Sequence, residues 1–459
     1  MSVFSLSNLK KTWYYLQKNG IRNAVWAVLE RIGQEQEVYT WQEPDEKTLS
    51  FQREHSASLR ISIVVPAYRT KKEHLEAMLN SVSRQSYPHW ELIVADAGGT
   101  AESVQDWAKK NGICLREAAD ASNLAEWKDQ SIVLCTLSEN KGISANTNAG
   151  IELAAGDAVG LLDHDDLLTA NALWEMADCL EKEKKRGKQK LVLFSDEDKC
   201  DKAASRFYEP NFKPDFDGEL LLTNNYICHF TVIETAFLKE LKLRSGFDGA
   251  QDYDLVLRAY AAGGQFVHVP KVLYHWRCHE ASTASNPQSK RYAYEAGQRA
   301  LEDYCLRKGW KATVSGLKHL GFYREDYEDS VFCQRPEIGI WAKPLPGGRD
   351  VFGIRHPKGF LVSGLYENDG SMRYAGLRKG YSGPMHRAAL QQSAPAADLR
   401  SMEVCSALKE RYAQTIAELK EACQGLPTAA QETKILQKSM EFCKEATAAG
   451  YGILWDPQA

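Results

Sequence analysis

The sequence predicts an α/β protein built on a mostly parallel sheet flanked by helices. Three observations carry that expectation. Short apolar, β-branched runs recur at residues 61–65, 92–95, 132–136, 158–162 and 191–194. Segments with helical spacing lie between several of them, at 75–82, 144–153 and 173–180. The strand ends also hand over polar side chains: Tyr68, Asp96, the pair Asp163 and Asp165, and Asp196. Strands alternating with helices make βαβ units, whose strands run parallel. In such sheets ligands collect at the carboxyl edge.

Taken in order, the run at 61–65 is stopped by Pro66, and a helix comes next at 75–82. The run at 92–95 closes on Asp96 and the turn Gly98-Gly99. The helix at 144–153 leads into GDAVGLLDHDDLL, residues 156–168. This stretch has a turn, an apolar run, then Asp163, His164, Asp165 and Asp166. Acids that close repel one another unless a cation or hydrogen-bond donors neutralise them. Hard oxygen ligands suit Mg²⁺ or Mn²⁺, which commonly also hold substrate phosphates. The competing reading is a solvated acidic turn that starts the next helix. Beyond the charged stretch 181–190, the run at 191–194 ends in Ser195-Asp196-Glu197-Asp198. Then come the stretch FDGAQDYDL at 247–255, a helix that runs to Ala262, a strand at 266–269, the tetrad Tyr274-His275-Trp276-Arg277, a polar loop at 280–289 and a helix at 291–308.

A length of 459 residues implies two or three domains. The 44% hydrophobic and 26% charged content is that of a soluble globular chain. A net charge of -4 gives no general pull toward nucleic acid or anionic membrane. No run reaches the ~18 apolar residues of a membrane span, and the opening residues lack the apolar run of a signal peptide. The 11 cysteines are scattered without a C-x-x-C pair, which argues against zinc and disulfides and for a cytoplasmic setting. Residues 1–55 read as a helical segment and linker, with Leu9, Trp13, Leu16, Ile21, Val25, Val28, Leu29 and Ile32 at helical spacing among lysines and arginines. Such a basic amphipathic helix either packs on its own domain or lies on a membrane surface.

ISIVVPAY, SVSRQSYPHWELIVADAGGT, NKGISANTNAGIELAAGDAVGLLDHDD, LFSDEDK, FKPDFDGELLLTNNYICH, GAQDYDLVLR and HVPKVLYHWR occur in that order. Together they resemble the family 2 glycosyltransferases, and within them the bacterial branch that makes rhamnan, O-antigen and other surface polysaccharides. The resemblance spans roughly residues 60–310. It implies the GT-A fold, a nucleotide-sugar-binding α/β sheet, over residues 56–325. It also implies transfer of a sugar from a nucleoside diphosphate, with inversion and with Mn²⁺ or Mg²⁺.

The resemblance also implies roles for individual residues. Pro66, Ala67 and Tyr68 line the base and ribose pocket, and Asp96 hydrogen-bonds the pyrimidine. Asp163 and Asp165 are the D-x-D pair at the ribose and the metal–diphosphate. Asp252 is the catalytic base, although by its position alone it would read as a helix N-cap. His275, with Asp165, reaches the metal or diphosphate, and Arg277 is its basic partner. Lys141 and Asn146 lie on the segment that approaches the nucleotide. Asp166, Asp196, Glu197, Asn225 and Gln251 form a second group that shapes the donor-sugar or acceptor pocket, with turn chemistry as the competing reading for the Asp and Asn residues. His164 reads as positional and Asp254 as supporting.

The chain departs from the family pattern in three places. Gln251 stands where an acid usually precedes the base, Ala95 stands where a second acid accompanies Asp96, and the stretch 108–131 is long enough for a loop insertion. Residues 326–459 carry a fainter echo of the second catalytic module of tandem surface-polysaccharide transferases, with Ser439 at the base position and no D-x-D before it. Serine cannot take a proton at neutral pH as a carboxylate can. This region is therefore expected to be a smaller, degenerate, non-catalytic α/β or helical module that docks, binds acceptor glycan or mediates assembly; an unrelated helical tail is the other reading.

The resemblance implies a UDP- or dTDP-sugar donor and a growing surface polysaccharide or lipid-linked glycan as acceptor. Its setting is the cytoplasm, with peripheral contact at the inner face of the membrane and other glycosyltransferases of the pathway as candidate partners. A non-catalytic nucleotide- or glycan-binding subunit of an active transferase is the alternative of another class. A nucleotidyltransferase shares the sheet and acids, but Gly98-Gly99 is too little for a glycine-rich phosphate loop.

Overall fold

The computed structural model describes residues 39–118, 128–278, 291–316, 321–328, 330–342, 364–365, 402–422, 438, 441–446 and 448–455. The helices expected before residue 39, the polar loop at 280–289 and Ser439 lie outside these residues.

A mixed ten-stranded sheet organises the chain, in the order β3-β4-β2-β1-β5-β9-β7-β10-β6, with β8 paired to β7. The strands are β1 (Ile61–Ala67), β2 (Trp90–Asp96), β3 (Cys114–Ala118), β4 (Ser131–Thr136), β5 (Ala158–Leu161), β6 (Leu167–Leu168), β7 (Leu191–Cys200), β8 (Phe207–Asn211), β9 (Thr231–Glu234) and β10 (Gln265–Arg277). The half from β3 to β5 is parallel throughout. β9 runs antiparallel to both β5 and β7, and β10 returns parallel to β7.

Both faces of the sheet are covered, so its central strands read as continuous apolar runs. All of β2 is buried, as is β1 apart from Pro66. Side chains alternate between the faces. Ile61, Ile63, Val65, Leu92 and Val94 meet Leu75, Met78, Leu79 and Val82 of α2 (Lys72–Ser83) and Leu173, Met176 and Leu180 of α5 (Ala172–Lys185). On the other face Val64, Ile93, Val133 and Val159 meet Ile151 and Leu153 of α4 (Ile143–Leu153), and Leu255 and Ala259 of α8 (Gln251–Ala261). Helices on both sides leave the carboxyl ends of the strands as the edge where loops gather.

Three details differ from the sequence reading. The stretch 108–131, expected as a loop insertion, holds the end of α3 (Ala101–Asn111) and the edge strand β3, and residues 119–127 lie outside the described residues. The four residues of β9 are too short to stand out by pattern. β10 is one strand of 13 residues, with register shifts on either side of Val272 rather than a break. Pro270 lies beside the first shift, and a residue without an N–H is tolerated in a strand at such irregularities.

Before the sheet, α1 (Glu46–Glu54) packs on α5 through Gln52, whose amide reaches Glu175 at 3.4 Å. After it come α9 (Arg291–Arg307), the hairpin β11 (Ala312–Gly316) and β12 (Tyr323–Tyr327), and a four-stranded sheet of order β14-β16-β13-β15. Its strands are β13 (Ile338–Ala342), β14 (Gly364–Leu365), β15 (Met402–Val404) and β16 (Gly452–Trp455). Among the described residues no helix is long and apolar enough to cross a membrane.

Candidate active site

The acidic turn after β5 is pinned from behind by the end of β10. Asp166 points inward: its Oδ2 accepts the Tyr274 hydroxyl at 2.5 Å and its Oδ1 accepts the Arg277 backbone N–H at 2.7 Å. The buried Arg277 guanidinium donates from Nε to the Asp165 carbonyl at 2.5 Å and from Nη1 to the Lys202 carbonyl at 2.6 Å. Arg277 is thus a clamp on the turn. Burial, with the charges of Asp165 and Asp163, pushes the Asp166 carboxyl well above the ordinary range. Asp163 is raised by burial and by the charges of Asp165 and Asp252, while His229 and His164 oppose the shift. Asp252, distant in sequence, therefore stands close enough to act on Asp163.

Asp252 lies in the first turn of α8, whose N-cap is Ala250, so it is not the cap. Its Oδ1 accepts the Tyr253 N–H at 2.9 Å and its Oδ2 accepts the Asn225 amide at 3.1 Å. Neighbouring Gln251 folds back to accept the Gly249 N–H at 2.8 Å. Behind the helix, buried Asp254 pairs with Arg244 and Arg258, and Arg258 also donates to the Leu241 carbonyl at 2.6 Å. This network fixes the end of the helix that presents Asp252.

The imidazole whose charge acts on Asp163 and Asp166 is His229, which sequence reasoning missed. Glu197 Oε2 lies 2.7 Å from the His229 N–H and 3.1 Å from its Nδ1. The ring stacks on Tyr274 with centroids 4.9 Å apart. Burial alone would lower its pKa, but the Glu197 hydrogen bond and the charges of Glu197, Asp163 and Asp166 lift it to about 9. Burial would raise Glu197, but Lys213 and His229 bring it down to about 2. Lys213, fully buried, donates to the carbonyls of Ile227 and His229 at 2.9 and 2.6 Å. Asp196 turns into the core and accepts the Lys213 N–H and His268 Nε2, both at 2.8 Å. The signal was present at the end of FKPDFDGELLLTNNYICH, but spacing could not reveal the partner that charges this histidine.

His275 lies one residue along β10 and turns the other way. Its Nδ1 sits 2.5 Å from Asp198 Oδ1, and its ring contacts those of Trp41 and Phe207, with centroids 5.0 and 4.3 Å away. A histidine held this way by a carboxylate has only Nε2 left for a cation, the arrangement common among metal-ligating histidines.

At the β1–β2 end, the Ala67 carbonyl accepts the Ala97 N–H at 2.8 Å. Half-exposed Tyr68 comes directly after β1, with partly buried Pro66 before it, and Arg69 lies over the Tyr68 ring at 5.0 Å. Buried Asp96 accepts the N–H groups of Gly98, Thr100 and Ala101 at 3.1, 3.2 and 2.9 Å, tying the glycine turn to α3. Asn146 braces the loop before α4, accepting the Lys141 N–H at 3.3 Å and donating to Asn140 at 2.9 Å. The Lys141 ammonium pairs with Glu139 in solvent. The structure therefore gathers Asp163, Asp165, Asp166, Arg277, Asp252, Asn225 and Glu197 around His229 and Tyr274, while Asp196 serves the core and Lys141 faces outward.

Several buried polar atoms at this edge lack partners: Thr70 Oγ1, Ser144 Oγ, His164 Nδ1, Asn225 Oδ1 and Arg277 Nη2. Buried polar groups are almost always satisfied, so these atoms are open to bonds from a ligand or from water. Among the described residues, no three His, Cys, Asp or Glu side chains form a ready-made metal cage. A Mg²⁺-type ion does not need one, since it takes one or two carboxylates plus substrate phosphates. Crowded Asp163 and Asp165, with His164 Nδ1 unpartnered between them, fit such an ion.

In an α/β sheet, acids crowded at the carboxyl edge stand where ligands bind. Residues 62–241 match the model of glycosyl transferase family 2. An uncharacterized protein of Sinorhizobium fredii is 36% identical over 55% of this chain and 26% of its own length. An O-antigen biosynthesis protein of Myxococcus xanthus is 34% identical over 56% of this chain and 19% of its own length. This chain thus spans about a quarter or less of those two proteins. A solved S. aureus TarS fragment with UDP-GlcNAc is 18% identical over 54% of this chain and 67% of that one, with a TM-score of 0.40.

Proposed function

We propose that this chain transfers a sugar, with inversion, from a UDP- or dTDP-sugar to a hydroxyl of a surface polysaccharide or lipid-linked glycan. The observation that carries the reading is the approach of Asp252 to the Asp163–Asp165 turn. Residues 56–325 form the catalytic domain, and residues 326–459 form a non-catalytic module. Pro66, Ala67, Tyr68 and Asp96 flank the base and ribose. Asp165 would hold Mn²⁺ or Mg²⁺ with Nε2 of His275 and the donor's phosphates, and the ion would supply charge stabilisation to the departing diphosphate.

The remaining chemistry belongs to side chains. Asp252 takes the proton of the acceptor hydroxyl as it attacks the sugar opposite the leaving group. Asn225 holds the carboxylate, leaving its own Oδ1 for a sugar hydroxyl. Protonated His229 offsets the acids without moving. The relative from Myxococcus xanthus, whose name places it in O-antigen biosynthesis, supports a surface glycan as product. Work at the inner face of the membrane, alongside other transferases, belongs to the same reading.

The test pairs Asp252→Asn with a nucleotide-sugar panel. With Mn²⁺, a true donor raises the melting temperature of wild type and variant alike, because it binds the folded state. Turnover falls about 10²–10⁴-fold in the variant, the usual worth of a general base. A variant that turns over at the wild-type rate would show that Asp252 is not the base.

A further inference from the structure

The chain before the family 2 match reaches into the site. Residues 39–41 lie ahead of α1, outside the matched residues 62–241, yet two of their side chains meet the histidine end of the sheet. The Tyr39 hydroxyl donates to Asp198 Oδ2 at 2.7 Å, while Asp198 Oδ1 holds His275 Nδ1. The edge of Trp41 meets the His275 ring at 77°, and Tyr39 touches Phe212 with centroids 6.5 Å apart. Asp198 is fully buried, so both its oxygens need donors, and these two contacts provide them. Trp41 Nε1 is itself buried without a partner beside the imidazole.

We infer that residues 39–41 are a strap that completes the site, with Tyr39 and Trp41 positioning His275 through Asp198 for the cation that accompanies a nucleoside diphosphate. The inference rests on the reading of His275 as a cation ligand. An imidazole hinged on one hydrogen bond can rock about it. The indole of Trp41, the phenyl ring of Phe207 and a second donor on the carboxylate remove that freedom. Groups that orient a metal-ligating histidine typically change metal affinity by about 10–100-fold when removed.

The test uses the full chain with UDP as probe, reading free Mn²⁺ by electron paramagnetic resonance. Tyr39→Phe removes one oxygen atom, Asp198→Asn keeps the shape, Trp41→Phe deletes the indole N–H, and His275→Asn is the reference. The expected result is Mn²⁺ affinity about tenfold weaker in Tyr39→Phe and Asp198→Asn. UDP binding in the presence of EDTA and the melting temperature stay at wild-type values. If His275→Asn weakens Mn²⁺ but Tyr39→Phe and Asp198→Asn do not, the strap is overturned while the site reading stands. If His275→Asn leaves Mn²⁺ affinity unchanged, His275 is no ligand and both fall. Should Asp198→Asn melt early, Tyr39→Phe alone decides.

Discussion

An imidazole titrates near 6.5 when nothing perturbs it, and His229 sits at about 9 because Glu197, Asp163 and Asp166 surround it. Its folded pKa exceeds its unfolded one. The stability it adds is therefore fully present below pH 6.5 and is lost as pH rises through about 9. Asp163 and Asp166, raised by burial, work in the opposite sense, so the wild-type profile alone would mix the two. The difference between wild type and His229→Asn isolates the histidine. Scanning calorimetry should find the variant about 2–4 °C lower at pH 6, with the gap closing by pH 9.5. A gap that does not change with pH would mean that His229 is not charged in the fold. At this scale the sequence named Asp163, Asp165 and Asp252 as candidates through the motifs that hold them. It could not weigh His229 against His275, because what separates them is which carboxylate each one meets.

Among the elements, α4 shows how a loop is held for a ligand. Gly142, just before the helix, has φ +96°, and a Cβ there would strike the Asp248 carboxylate. Asp248 in turn accepts the Ser144 N–H at 3.3 Å, standing in for the side-chain cap that this helix lacks. Gly142→Ala is expected to cost about 1–2 kcal/mol from the left-handed backbone alone. Displacing Asp248 would also disturb the segment carrying Asn146. Urea melts should show the loss in stability, and donor KM should rise several-fold. An unchanged KM with lowered stability would detach this loop from the nucleotide. The sequence located the helix and the strand after it, because apolar periodicity sets them. It left β3 and β9 unseen, since an edge strand and a four-residue strand hold too few apolar positions to register.

Across the whole molecule, a buried ion pair joins the large sheet to the residues C-terminal of it. Arg335 donates from Nη1 and Nη2 to the two Glu219 oxygens, both at 2.6 Å, and lies over the Trp310 ring at 4.7 Å. Residues just past 325 are thus packed onto α6 (Gly218–Thr223) rather than trailing as a linker. Arg335→Met leaves a buried, unpaired carboxylate and is expected to cost about 3–5 kcal/mol. The double variant with Glu219→Met should recover most of it. Chemical denaturation followed by tryptophan fluorescence checks both. A single variant no weaker than the double one would show that the pair holds nothing together.

The residues in their order were enough to determine the α/β class, the buried central strands and the delivery of acids to one edge. Those features arise from hydrophobic alternation and turn chemistry, which act between neighbours along the chain. The partner of each polar group was settled only in three dimensions. Arg277 became a clamp on the acidic turn, His229 a fixed charge beside Asp163, and Tyr39 a support for Asp198. Electrostatics and hydrogen bonding depend on separation in space, and spacing along the chain does not encode that separation.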